Sequence, residues 1–105
     1  MFIAMNRFKV RAGREGDFEE SWRNRDSYLS EVPGFVSFAL LRGDTAGEVT
    51  DFVSHTTWAS RADFDAWRSG QDFRRAHAQG GGMEGVLMGP PEASMYEAVI
   101  EESKA

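Results

Sequence analysis

Residues 33–58 read PGFVSFALLRGDTAGEVTDFVSHTTW, and this stretch decides the fold. Pro33-Gly34 is a helix stop, and the apolar residues 35–42 are typical of a strand buried on both faces. Residues 43–48 are polar and suit a hairpin loop, and residues 49–58 follow as a second strand. The stretch therefore predicts two adjacent antiparallel strands in the middle of the chain.

The segment before this hairpin predicts a strand and a helix. Residues 2–10 alternate as a strand does, and Asn6 falls on the same face as Phe2 and Phe8. Residues 15–30 carry apolar side chains at helical spacing and predict an amphipathic helix. Together they place one βα unit in front of the hairpin.

The segment after the hairpin predicts a second helical region and a last strand. Two serines, each followed three residues later by an aspartate, have the capping-box pattern and predict short helices over 61–69 and 71–79. Residues 80–91 are rich in glycine and proline and predict a mobile loop with scattered apolar residues. Residues 94–101 predict the final strand.

The resulting order is βαββαβ, which defines a ferredoxin-like α+β fold with both helices on one face of an antiparallel sheet. Residues 1–105 are expected to form a single domain. The first two strands are apolar on both sides, so the uncovered face of the sheet would be a large exposed apolar patch. Pairing of two such sheets in a homodimer, as a dimeric α+β barrel, is the expected solution.

Composition limits the classes of function. The net charge of −5 argues against nucleic acid or an anionic membrane as the main partner. There is no cysteine, which excludes disulfides, iron–sulfur clusters and thiolate-ligated heme, and two histidines cannot form a three-histidine zinc site. A heme iron, which takes a single protein ligand, fits that limit. The apolar start is too short for a signal peptide, so we expect a cytoplasmic protein.

Three residues are candidates for a functional site, and each has a plainer alternative. Asn6 is an amide inside an apolar strand, where it would either act on a ligand or bond to neighbouring backbone to fix a bend. Trp67 lies on the apolar face of its helix, as a core residue would. His77 follows Phe73 by four residues and is either a ligand or a structural histidine.

The sequence also resembles a known family. The resemblance rests on Met5-Asn6-Arg7-Phe8, Val32-Pro33-Gly34-Phe35, Thr57-Trp58-Ala59-Ser60, Phe64-Asp65-Ala66-Trp67 and Ala76-His77. These motifs are similar to those of the small α+β heme-degrading monooxygenases of the antibiotic-biosynthesis-monooxygenase superfamily. The likeness covers residues 2–79 and resumes weakly in the last strand.

The resemblance implies a catalytic set of Asn6, Trp67 and His77. His77 would bind the heme iron as its axial ligand through a neutral imidazole nitrogen. Asn6 would donate a hydrogen bond to dioxygen on the opposite side of the heme, and Trp67 would press on the porphyrin from that side. The implied reaction opens the porphyrin ring and releases iron, with heme as substrate and cofactor, O2, and an external reductase or small reductant.

The resemblance also implies cations for the heme propionates. Arg25 is the main candidate, and Arg74 and Arg75 lie beside His77; ordinary surface ion pairs are the alternative for all three. Phe73 is expected to line the same site.

Other residues near the site have weaker indications. His55 has no counterpart in the family and is expected to be structural. Met83 and Met88 are expected to be apolar residues closing over a flat ligand. The glycine content of residues 80–89 departs from the family, which leaves the position of ring cleavage open.

Two other functions remain open at this point. A cofactor-independent monooxygenase of the same superfamily, acting on an aromatic or polyketide substrate, would have the same fold. A non-catalytic heme-binding protein is the second alternative.

Overall fold

A computed structural model of the chain describes residues 1–25, 28–70 and 85–104. In order, its elements are β1 (Phe2–Arg11), α1 (Glu15–Arg23), a short 3₁₀ turn (Leu29–Glu31), β2 (Phe35–Ala46), β3 (Val49–Trp58), α2 (Arg61–Arg68) and β4 (Glu92–Glu97). The strands form one antiparallel sheet in the order β2-β3-β1-β4. This is the βαββαβ, ferredoxin-like α+β arrangement that the sequence predicts.

The first helix is shorter than its pattern predicts. It begins at Glu15 as expected but ends at Arg23, so the prediction of helix to residue 30 was wrong. Asn24 caps it, and Asp26 and Ser27 follow; all three residue types favour caps and turns over helix interiors. Arg25 therefore lies just beyond the helix and not on its apolar stripe.

The central hairpin is tighter than predicted. β2 continues through the polar residues to Ala46, which pairs with Val49, so only Gly47 and Glu48 form the turn. Gly47 has φ +62°, a value that glycine adopts without strain. A register shift between Arg42 and Thr45 absorbs the extra polar residues.

The prediction that β2 is buried on both faces was also wrong for the single chain. The strand lies at the sheet edge, where Val36 is 49% and Leu41 47% exposed. The long apolar run in β2 therefore indicates an apolar surface that the single chain leaves uncovered.

The capped helix α2 agrees with its sequence pattern. The backbone N–H of Asp63 donates to Ser60 Oγ at 3.2 Å, and the Ser60 hydroxyl donates to Asp63 Oδ2 at 3.0 Å. Gly34 lies directly against Asp63 at φ +82°, where any side chain would collide with the cap. The second predicted helix, 71–79, falls outside the described residues.

The described end of the predicted loop is part of the core. Val86 is 1% exposed and packs with Phe8 and Val10, and its carbonyl accepts the Arg11 N–H at 2.8 Å. Expecting a mobile loop to residue 91 was therefore wrong for this part, because Val86 continues the pairing along the edge of β1. The last strand also ends early, at Glu97.

Two hydrophobic clusters hold the helices on one face of the sheet. One, under α1, contains Phe8, Val10, Phe18, Phe52 and Val86. The other, under α2, contains Phe2, Leu29, Trp58 and Phe64. Among the described residues, no helix has both the length and the apolar composition to cross a membrane.

Candidate functional site

A hollow separates the two clusters because the middle of the sheet carries small side chains. Along the helix-facing side of β1 the residues are Phe2, Ala4, Asn6 and Phe8, and along that of β3 they are Phe52, Ser54, Thr56 and Trp58. Both strands thus have large rings at the ends and small groups between them. Each end packs into a cluster, and the small residues leave space above them.

This space is a cavity of about 180 Å³ whose floor crosses the whole sheet. One row of paired residues runs Phe38, Thr56, Ala4, Met95, and the next contains Ser54, Asn6 and Ala93. At the usual strand spacing, four strands give a floor roughly 14 Å wide. The described walls come from the helix side and comprise Trp22, Arg25, Phe64, Trp67 and Arg68.

Asn6 lies in the centre of this floor. It is half-buried on β1, between Ser54 on β3 and Ala93 on β4. Its side-chain amide makes no hydrogen bond to any residue in 1–25, 28–70 or 85–104. Within those ranges nothing supports the alternative of an amide that fixes a bend, and its N–H groups can serve a ligand in the cavity.

Trp67 forms part of the wall opposite the sheet and also belongs to the core. Its ring lies 5.1 Å from that of Trp58 and 6.1 Å from that of Phe64. The cap at Ser60 and the burial of Phe64 fix the helix that carries it. The ring therefore cannot easily withdraw from a ligand placed against it.

Arg25 packs against two aromatic rings at the side of the cavity. Its guanidinium carbon lies 4.2 Å from the centre of the Trp22 ring and 5.2 Å from that of Phe38, and these two rings are stacked. Burial lowers the pKa of Arg25 from its usual value, yet a guanidinium stays charged in proteins. A guanidinium that lies on aromatic faces is only partly hydrated, so it loses little hydration when it binds a carboxylate.

The structure thus brings together three of the predicted site residues, Asn6, Arg25 and Trp67, around one cavity. The others, His77, Phe73, Arg74 and Arg75, fall outside the described residues, as does Met83. Met88 donates its N–H to the Lys9 carbonyl at 2.8 Å and is not among the described residues of the cavity wall.

Sequence reasoning missed several residues of the site. Ser54 and Thr56 form part of the cavity floor, and Trp22 and Arg68 form part of its wall. The paired pattern of large, small, small and large residues in β1 and β3 was the signal for the floor. Arg68 gave no signal, because an exposed arginine at a helix end is common.

Of the described residues on the opposite face of the sheet, Met5 alone borders this cavity. His55 pairs there with Met5 and Ala39, points away from Asn6, and is not among the described residues that line the cavity. No cluster of metal-binding side chains occurs among the residues that the structure describes.

The sequence and the fold correspond to a known family. The sequence pattern of the family described as antibiotic biosynthesis monooxygenase matches residues 1–79. The chain belongs to this family.

Proteins similar to this chain include some that are named for heme. The heme oxygenase (mycobilin-producing) of Mycobacterium tuberculosis is 36% identical over 76 residues, which cover 72% of this chain and 70% of that protein. The heme-degrading monooxygenase of Shouchella clausii is 27% identical over 100 residues, 95% of this chain and 92% of that protein.

Solved structures agree with the fold. The heme degrader MhuD of Mycobacterium tuberculosis, with two hemes bound in its active site, is 31% identical, and its TM-score is 0.73 with 98% of this chain and 100% of that chain covered. SnoaB of Streptomyces nogalater, a cofactor-independent oxygenase, has a TM-score of 0.68 at 18% identity, with 98% and 97% covered. The second likeness concerns the fold alone.

Proposed function

We propose that this protein is a heme-degrading monooxygenase that opens the porphyrin ring oxidatively and releases iron. The observation that carries the proposal is the Asn6 amide, which lies in a flat floor beneath Trp67 without a hydrogen bond to any described residue. A flat floor with an amide donor near its centre suits a planar ligand on which charge develops at one point. The relatives named for heme support the choice of ligand.

In this proposal the chain's residues orient the substrate and stabilise charge. Bound heme supplies the iron that activates dioxygen, and its ring is the group oxidised. The Asn6 N–H would donate a hydrogen bond where negative charge develops, and the Trp67 ring would press against the face of the porphyrin. His77 is the residue that would hold the iron, through a neutral imidazole nitrogen.

The surroundings of the cavity provide for the rest of a large ligand. The described walls enclose less volume than drug-sized ligands usually occupy. A second hollow of about 600 Å³ lies next to it and shares Trp22 and Phe38. These two rings border both spaces, and Phe38 is 36% exposed on an edge strand. Arg25 is the proposed partner of one propionate, and Arg74, Arg75 and Phe73, which precede His77 in the sequence, are further proposed contacts of the heme.

We propose in addition that two chains pair through the open face of the sheet. That face carries Ile3, Met5, Val53, Leu41 and Tyr96, and Tyr96 is 54% exposed. An apolar surface of this kind on one side of a sheet needs a cover. The proposal also places the reaction in the cytoplasm, where a reductase or a small reductant supplies the electrons.

Addition of hemin to the purified protein tests the function. A sharpened Soret band, followed by its bleaching and iron release when reductant and O2 are supplied, is the expected result. His77→Ala should abolish the specific ligation, and His55→Ala, on the opposite face, is the matched control. Binding without bleaching in the parent would favour the heme-binding alternative, and no binding would favour a cofactor-independent oxygenase.

A further inference from the structure

Two arginines of the cavity wall differ from every other described arginine. Each of the others forms an ion pair or a hydrogen bond with an oxygen atom of the chain. The pairs are Arg7–Asp51, Arg11–Gly85 carbonyl, Arg14–Asp17, Arg23–Glu20, Arg42–Glu19 and Arg61–Asp65. Arg25 and Arg68 have neither an ion pair nor a side-chain hydrogen bond within residues 1–25, 28–70 and 85–104. Both line the same cavity.

The two guanidinium groups are held at different walls. Arg25 lies on Trp22 and Phe38, beyond the end of α1. Arg68 is the last residue of α2, directly after Trp67, and its guanidinium carbon lies 5.8 Å from the centre of the Phe64 ring. Because they belong to separate elements, the two cations can bind two different groups of one ligand.

Charge balance makes this pair of cations notable. The chain carries a net charge of −5, which repels an anionic ligand at long range. Asp65 is the acidic residue nearest to Arg68 in the sequence, and it forms an ion pair with Arg61. A site for a neutral planar ligand would gain nothing from two uncompensated cations, whereas a ligand with two carboxylates would gain at both.

We infer that Arg68 determines specificity for a planar dicarboxylate, binding one carboxylate while Arg25 binds the other. The inference rests on the proposed function, in which the two carboxylates are the heme propionates. It adds a residue that the resemblance does not supply, and it assigns the second propionate to α2. Arg68 then acts in binding and not in the chemical step.

The test compares the affinities of hemin, hemin monomethyl ester and hemin dimethyl ester by Soret titration at low and high salt. The parent should bind them in that order, and added salt should reduce the difference. Arg68→Gln should weaken the binding of hemin by about two- to fivefold, the range expected for an exposed ion pair. The affinity for the dimethyl ester should stay unchanged. Arg68→Glu should weaken the binding of hemin further. Arg68→Lys should keep most of the preference for hemin over its dimethyl ester.

Arg61→Gln is the matched control, because Arg61 lies on the same helix, outside the cavity, and its side chain is 77% exposed. It should bind all three ligands as the parent does. Equal loss of hemin and dimethyl ester in Arg68→Gln would indicate a packing role over Phe64 and overturn the inference, as would no loss at all.

The outcomes separate this inference from the proposed function. If the parent degrades hemin but the Arg68 variants bind it unchanged, the inference fails and the function stands. If hemin binds without being degraded, the function fails, and the ester series still decides the inference. If the parent binds none of the three ligands, both are overturned.

Discussion

Replacement of Asn6 by alanine separates a catalytic amide from a structural one. A structural amide, bonded to its neighbours, would cost about 1–3 kcal/mol of unfolding free energy when removed. Asn6 has no such bond to a described residue, so the unfolding free energy should change by less than about 0.5 kcal/mol. Loss of a donor aimed at developing charge should instead slow turnover by roughly 10²–10³-fold.

Thr56→Val is the matched comparison for stability. Thr56 lines the same floor, and its hydroxyl donates to the Ala4 carbonyl at 3.2 Å. Removal of that hydroxyl should cost about 1 kcal/mol, which lowers the melting temperature by about 4–8 °C in a domain of this size.

The assay pairs thermal melting at one protein concentration with single-turnover bleaching of bound hemin. Asn6→Ala should melt with the parent, bind hemin, and bleach it slowly. If Asn6→Ala instead melted as low as Thr56→Val and bleached hemin at the parent's rate, the amide would be structural and the assigned role refuted.

Substitutions at three further positions test other parts of the structure. Trp67→Phe should keep part of the degradation rate and Trp67→Ala very little, with hemin still bound by absorbance; parental turnover in Trp67→Ala would reduce this ring to core packing. Val86→Ala should lower the unfolding free energy by about 2 kcal/mol in denaturant melts, because Val86 is 1% exposed in the α1 cluster, and no change would remove the segment from the core. The parent should be a dimer by light scattering at micromolar concentration and Leu41→Asp a monomer; a monomeric parent would contradict the pairing of sheets.

Local signals in the sequence predicted the elements that rest on local interactions. The alternation of β1 and the serine cap of α2 depend on near neighbours, and both are confirmed. The end of α1 and the edge position of β2 were mispredicted. Apolar spacing continues past Arg23, where Asn24 already ends the helix, and an apolar run does not say whether its cover comes from the same chain.

The site was predictable in part for the same reason. Asn6 is conspicuous because an amide is unusual inside a strand, and Trp67 and Arg25 were linked to it by the family resemblance. Their meeting around one cavity requires the strand register that joins β1 to β3 and β4. Arg68 had no such signal, because the absence of a described partner for its side chain is a property of the folded chain.

The small residues in the floor have a consequence for how such a protein can evolve. Backbone hydrogen bonds hold β1 and β3 together whatever side chains Ala4 and Ser54 carry. A single substitution at either position would therefore reshape the footprint available to a ligand while the sheet kept its register. Natural selection can explore new substrates on this scaffold one side chain at a time, with the large rings at both ends of the floor continuing to secure the helices.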